Sequence, residues 1–458
     1  MPETAINTIT DQFRKGLARF AGSDRPRIGV ELKLPLVQAD GHAASREEVE
    51  SLWRFLVDRG WDAQSEDGRL VGATRPGEQN ETVGSSETGY CKTEFSLAHA
   101  DNLLDAENTL RAIRADLDAF HKTSGLHFLG TGLHPVTPPT QDLRVRKKRA
   151  SVWGDIFRSN TCLPASEGDD MDLFTVNAGS HVHLSLPPDQ ALDAVNVFNG
   201  FAGAQLALGA NGNVWRNRVD DEHVAAGELF WDWWELARGR AGVPAAAFTD
   251  LEHYARTVAE MDLLYVKRDG ESLTFAESPT LTAFLTAGRY PARTAAGDTV
   301  EITPQEADLD LHNSCYWFNA RISRYFTVEN RVHEQQPPGD LLAPAALTTG
   351  LSAALPEARE ALARQEWRAL VEARPAACRH GLDAEIEGRS LHSLATEMVE
   401  IAELGLQRRC FGEERFLSGL HERLRKRSIP SDHNRLLFEQ GGAPALVAAR
   451  SLHPASRL

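Results

Sequence analysis

Arg27-Ile-Gly-Val-Glu-Leu-Lys-Leu-Pro-Leu-Val37 alternates strictly, with Ile28, Val30, Leu32, Leu34 and Leu36 on one face and Gly29, Glu31, Lys33 and Pro35 on the other. A period of two residues is the signature of a strand buried on one side only. The stretch therefore predicts a strand whose apolar face meets a core while Glu31 and Lys33 stand on its second face. Downstream, Ser45 and Glu48 form a capping-box pattern ahead of Val49, Leu52, Trp53 and Leu56, and Gly60 sits where a left-handed cap is wanted. One helix of about four turns follows the strand.

The same alternation recurs. Tyr90 to Leu97 places Cys91, Thr93, Phe95 and Leu97 opposite Tyr90, Lys92, Glu94 and Ser96. Asp101 to Lys122 reads as a long amphipathic helix closed near Gly125, and Leu126 to Gly132 as a returning strand that ends at His134-Pro135. In Ser180 to Leu186, His181, His183 and Ser185 share one face and Val182, Leu184 and Leu186 the other. Pro187 to Gly209 is helical in pattern, and Ala287 to Asp298 reads as an exposed loop. Tyr325 to His333 sets Tyr325, Thr327, Glu329, Arg331 and His333 against Phe326, Val328, Asn330 and Val332. The last third follows a helical period, as in Leu391, Leu394, Ala395, Met398, Ile401, Ala402 and Gly405.

Composition narrows the class. With 42% apolar and 25% charged residues in 458, the chain is a globular protein large enough for a sizeable core. Its net charge of −16 repels a phosphate backbone, which argues against nucleic acid as a partner. Five cysteines, odd in number and without a CxxC pair, predict reduced thiols. Absence of a secretory leader pattern and of any long apolar run predicts a cytoplasmic protein with no membrane partner. The basic run Arg144 to Arg149 reads as a solvated face, and Trp231, Trp233 and Trp234 as core aromatics.

Four strands thus carry carboxylate, imidazole or guanidinium groups on one face. Backed by helices, they would make one curved, mostly antiparallel sheet, an α+β architecture, with Glu31, Glu94, His181, His183, Glu329 and Arg331 in a single cleft. Carboxylates at such close quarters call for a cation, and oxygen-rich ligation favours Mg²⁺ or Mn²⁺, with imidazoles tilting the choice toward Mn²⁺ or Zn²⁺. The sequence holds no GxxxxGK[ST] loop, no GxGxxG after a strand, no HExxH and no GxSxG. Any ATP is therefore held without a P-loop. Ordinary solvent-facing strand residues are the competing reading, and a hydrolase or oxygenase built on one transition metal is another.

Gly29-Val-Glu31, Thr93-Glu94-Phe-Ser96 with Asn102-Leu103, His181-Val-His183 and Val328-Glu-Asn-Arg331 together resemble the glutamate–cysteine ligases and related carboxylate–amine ligases. Gly242-Val-Pro, Phe248 to Tyr254, Pro344 to Gly350, Gly405 to Arg409 and Glu414 to Leu417 extend the resemblance, the last two toward the plant and proteobacterial type. It runs from about Arg27 to Gln440.

The resemblance implies a glutamine-synthetase-like fold with a helical C-terminal part. Residues 1–26 would be a helical lead-in, 27–350 the catalytic domain and 351–458 a helical subdomain packed on it. It also implies ATP-dependent amide formation through an acyl phosphate, usually on the γ-carboxylate of glutamate, with a small-molecule acid and amine as substrates and Mg²⁺ or Mn²⁺ as cofactor. Glu31, Glu94, Glu329 and His183 would be metal ligands, His181 a substrate contact, and Arg331 the group that stabilises the transferring phosphoryl.

Three positions depart from the family's pattern. Lys33 stands where a second carboxylate is usual; its ammonium would either fill a cation site or bind a phosphate or acidic substrate directly. Asn211-Gly212-Asn213 replaces Asn-Ser-Pro, and the Ser-x-Arg that follows falls at Ala225 to Gly227, which leaves Arg216 or Arg218 to hold the substrate. Glu334 replaces an Asp and would contact the substrate, and Lys33 would join Arg331 in catalysis. A ligase for a different acid or amine, and a ligand-binding homologue without turnover, are the alternatives these departures raise.

Overall fold

The computed structural model describes residues 2–22, 25–77, 80–145, 163–234 and 237–453. The alternating stretch is β1 (Ile28–Val37), in the interior of a nine-stranded sheet. The remaining strands are β2 (Asp62–Glu66), β3 (Arg69–Arg75), β4 (Thr82–Ser86), β5 (Lys92–Ser96), β6 (His127–Phe128), β7 (Gly179–Leu184), β8 (Ala320–Ile322) and β9 (Val328–Glu334). Their order is β8-β9-β7-β1-β5-β4-β3-β2, with β6 beside the end of β1, and all pairs are antiparallel. The α+β class read from the sequence is the one observed.

Ten helices frame the sheet in this account: α1 (Pro2–Ala18), α2 (Arg46–Asp58), α3 (Leu103–Ser124), α4 (Pro188–Gly200), α5 (Ala202–Gly209), α6 (Ala226–Trp233), α7 (Ala343–Ala353), α8 (Trp367–His380), α9 (Leu391–Arg409) and α10 (Pro430–Arg450). The capping box forms as expected, with the Glu48 N–H donating to Ser45 Oγ and the Ser45 N–H to Glu48 Oε2. Gly60 has φ +94°, and Gly125 closes α3 in the left-handed region at φ +73°. α4 and α5 pack on β9, α7 on β7 and α2 on β3. Leu32, Leu34 and Leu36 are at most 1% exposed, and each such side chain contributes roughly 1.5–3 kcal/mol of burial.

One hydrophobic core runs from Ile6 in α1 through the sheet to Leu406 in α9. α7 and α9 approach so closely at Gly350 and Gly405 that a Cβ on Gly405 would fall 1.9 Å from the Gly350 carbonyl oxygen. The glycines of both C-terminal sequence motifs therefore have a packing reason.

Several boundaries differ from expectation. The helical stretch 187–209 breaks at Phe201 into α4 and α5. The strand expected over 126–132 is reduced to His127–Phe128, because the Gly130 N–H donates to the Arg450 carbonyl and the Gly132 N–H to the Asn211 carbonyl. Within 287–298, Tyr290–Arg293 pairs with Thr299–Ile302, so the expected loop is half a hairpin. Cys91, Cys315 and Cys378 are buried free thiols and Cys410 is exposed; Cys162 and the basic run beyond Val145 lie outside the described residues. Arg144 pairs with Asp172. No helix among the described residues is long and apolar enough to cross a membrane.

Candidate active site

Cross-strand register builds the site. Lys33 on β1 faces Glu94 on β5, Glu31 on β1 faces His181 on β7, His183 on β7 faces Glu329 on β9, and Glu329 faces Arg321 on β8. The polar residues share one side of the sheet because the alternate positions, Val30, Leu32, Val182 and Leu184, are committed to the core. Alternation alone thus sets most of the cluster.

Lys33 is its hub. Its Nζ lies 3.0 Å from Glu31 Oε2, 3.0 Å from Glu94 Oε2 and 3.1 Å from His181 Nδ1. An ammonium has three protons; Glu31 and Glu94 accept two of them, and His181 Nδ1, which also lies 3.0 Å from Glu31 Oε2, accepts from Lys33 or donates to Glu31 according to its tautomer. Of the two roles open to Lys33 in the sequence, a fixed cation between carboxylates matches the geometry.

At the other end, Arg321 Nε donates to Glu329 Oε2 at 2.7 Å and Arg331 NH1 pairs with Glu329 Oε1. Arg321 also donates to the Tyr316 carbonyl. His183 Nε2 is 3.2 Å from Glu31 Oε1 and 3.8 Å from Glu329 Oε1, and its Nδ1 contacts Thr327 Oγ1 at 2.8 Å.

These contacts set the charge states. Burial by itself would raise Glu31, but Lys33 and hydrogen bonds from His181 and His183 hold it well below the usual carboxylate range. Burial works the same way on Glu329, and Arg321 and Arg331 again prevail. Glu94 goes up, through burial and the nearby charges of Glu31 and Glu87, despite Lys33. Burial opposes protonation of Lys33, yet Glu94 and Glu31 leave it raised. Burial and Lys33 push His181 down to about 3, whereas Glu329 and Glu31 raise His183 against its burial.

Glu31, His183 and Glu329 each offer a ligand atom within 4.8 Å of the other two. Two ligands on one cation at ordinary metal–oxygen and metal–nitrogen distances are about that far apart or closer, so the set fits a divalent ion. Lys33, Arg321 and Arg331 already balance Glu31, Glu94 and Glu329, so the metal is not demanded by charge alone.

β9 carries a bulge between Asn330 and His333. Alternation puts His333 on the polar face; after the bulge it pairs with Ser180 on the core side, 5% exposed, and its pKa is down to about 3 through burial and Arg423. Glu334 instead pairs with Gly179 and turns to the same side as Glu329. It is 5% exposed and its Oε2 accepts from the Asn211 N–H at 2.6 Å. A Cβ at Gly212 would fall 2.1 Å from Glu334 Oε1, so a side chain there would displace the Glu334 carboxyl from beneath the 211–213 loop.

Arg216 and Arg218 flank a tight turn in which Arg216 and Asn217 have positive φ. Both guanidiniums bind Glu167, with Arg218 NH2 2.7 Å from Oε2. No ion pair among the described residues joins either of them to Glu31, Glu94, Glu329 or Glu334. Trp231 stacks on Trp317 at 5.2 Å and Trp233 on Trp215 at 6.4 Å; Trp234 is buried in the core as expected, while Trp231 and Trp233 pack against it only partly buried. Arg321 and Glu87 are site residues that the sequence reading did not single out. Arg321 lies on a three-residue strand, too short for a period to show; its one signal is that it precedes Glu329 by eight residues across a hairpin.

A sheet with this register and this charged face has the fold of the ATP-dependent carboxylate–amine ligases. The glutamate–cysteine ligase of Francisella tularensis, solved in complex with AMP, is similar over 93% of this chain and 87% of that one, with a TM-score of 0.53 and 12% identity. A bifunctional glutathione synthetase from Pasteurella multocida (TM-score 0.44, 10% identity, 96% of this chain and 52% of that one) is more distant. So is the ligase PafA in complex with the ubiquitin-like protein Pup (0.40, 11%, 93% and 73%). No curated protein sequence matches. Residues 27–442 match the profile described as glutamate–cysteine ligase family 2 (GCS2), and the chain belongs to that family.

Proposed function

We propose that this ligase joins a carboxylic acid to an amine through an acyl phosphate, with the γ-carboxyl of glutamate and the amino group of cysteine as the first pair to test. The observation that carries the reading is the meeting of Glu31, Glu94, Glu329, His181, His183 and Arg331 on one sheet face around a buried ammonium. A carboxylate oxygen of the acid attacks the γ-phosphorus of ATP and ADP leaves. The amine nitrogen then adds to the carbonyl carbon, gives up a proton, and inorganic phosphate departs. No covalent bond to the protein is needed, so catalysis is positioning and charge compensation.

Glu31, Glu329 and His183 would hold Mg²⁺ or Mn²⁺, which when bound neutralises charge on the triphosphate. Arg331 is the catalytic guanidinium in this reading. Its one recorded hydrogen bond among the described residues uses NH1 alone, which leaves further N–H donors for the transferring phosphoryl. Lys33 keeps Glu31 ionised and holds Glu94 in place, a positioning role, and substitutes for one cation where relatives have a carboxylate. Glu94 is thereby tied to Lys33 and His181 to Glu31 and Lys33.

A different acid in place of glutamate is the second reading, and one arrangement favours it. Arg216 and Arg218 reach a substrate carboxylate only by releasing Glu167. The purified chain with ATP and Mg²⁺ is expected to release phosphate when glutamate and cysteine, or another acid and amine from a panel, are both present. Phosphate release with no member of the panel removes the ligase reading; release with an acid other than glutamate selects the second.

A further inference from the structure

Far from the charged face, three histidines from separate parts of the chain meet. His121 lies in the last turn of α3, His127 on β6, and His453 follows the segment that bonds to β6 through the Leu452 N–H and Phe128 carbonyl, 2.9 Å apart. Ring centroids are 4.7 Å apart for His121 and His127, tilted at 59°, and 4.9 Å for His121 and His453, which stack at 19°, so a shared ion requires the His453 ring to turn out of that stack. Each ring offers a nitrogen within 4.8 Å of the other two, the spacing already seen to suit ligands of one ion.

Hydrogen bonds at Nδ1 orient two of the three rings. His121 Nδ1 lies 2.8 Å from the Leu126 carbonyl oxygen. A carbonyl only accepts, so Nδ1 carries the proton and Nε2 of the neutral ring keeps its lone pair. His127 Nδ1 contacts Ser451 Oγ at 3.0 Å, which leaves its Nε2 in the same state when Nδ1 donates. Orientation of a ligating imidazole by a bond from its other nitrogen is what metal sites require. Asp118, one turn before His121, puts a carboxyl beside His121 and His453, with Arg114 and Lys122 as the opposing charges.

We propose that His121, His127 and His453 form a second metal site, which takes Zn²⁺ through three imidazole nitrogens and leaves a fourth position to water. An all-nitrogen donor set selects zinc-like transition ions over Mg²⁺, so the site differs in chemistry from the Glu31, His183 and Glu329 group. Its effect is to clip the segment after α10 to α3 and β6, and β6 in turn pairs with the end of β1.

The test is a Zn²⁺ titration of the metal-free full chain with excess Mg²⁺ present, read with a competing chromophoric chelator. One equivalent is expected to bind more tightly than ~1 µM, and Co²⁺ in its place is expected to give the visible absorption of a four-coordinate ion. His127→Asn and His453→Asn should each weaken that equivalent by about 100-fold or more and abolish the Co²⁺ band, while His183→Asn leaves both unchanged. Equal affinity in the wild type and both variants, loss of the equivalent in His183→Asn, or no equivalent held below ~1 µM overturns the proposal.

Discussion

β9 presents two carboxylates to the same side of the sheet, and they live under opposite conditions. Glu329 sits between Arg321 and Arg331, which hold it ionised although it is only 2% exposed. Glu334, past the bulge, is buried to a similar degree with no arginine or lysine among the groups that set its charge, and burial lifts it to about 8. The residue type is the same and the strand is the same. Burial penalises both, and the presence of a paired cation decides the outcome. The charged centre is therefore built to hold negative charge on the protein in a fixed pattern, and the Glu334 pocket to hold a carboxyl as a neutral wedge.

The largest test of that contrast is at Arg331. If its spare donors meet the phosphoryl group in the transition state, Arg331→Ala lowers kcat by about 10³-fold, with a smaller change in KM. Circular dichroism and thermal unfolding should show a folded protein, because Arg321 still pairs with Glu329. An activity loss matched by a collapse in stability would instead make Arg331 a structural partner of Glu329.

Lys33 comes next. Lys33→Met leaves Glu31 and Glu94 facing each other without their shared ammonium, and breaking a buried pair this way costs about 3–5 kcal/mol. Thermal unfolding should then show a lower Tm that Mn²⁺ restores more in the variant than in the wild type. Lys33→Glu, which supplies the carboxylate usual in relatives, should make turnover depend more steeply on Mg²⁺. An unchanged Tm and unchanged metal dependence would show that Lys33 is not the cation of this half of the site.

Alternation made β1, β5 and β7 legible, and with them the placing of Glu31, Lys33, Glu94, His181 and His183 on one face. The period works there because those strands are regular and one side is wholly committed to the core. It fails in β9, where a bulge adds a residue and moves His333 and Glu334 to the opposite sides; a local backbone choice of this kind leaves no trace in residue type. The partnership of Arg216 and Arg218 with Glu167 was equally hidden, since it joins segments about 50 residues apart that no periodicity relates. β2, β3 and β4 were missed for a simpler reason: Ala63, Gly72, Ala73 and Gly84 give their strands little hydrophobic signal.

The effect expected at Glu334 shows only in the pH dependence of stability, and its sign follows from linkage. An unfolded glutamate releases its proton near 4.5, while the folded one keeps it to about 8. Between those values the native state binds more protons than the unfolded state, so the stability this group contributes is full below its unfolded pKa and is lost as pH rises through 8. Glu334→Gln cannot titrate and preserves an oxygen that can accept the Asn211 N–H. The Tm difference between variant and wild type should therefore move in the variant's favour from pH 5 to pH 8.5. Parallel profiles would mean that Glu334 is ionised in the folded protein, and that an arriving cation or a substrate ammonium has to be sought beside it.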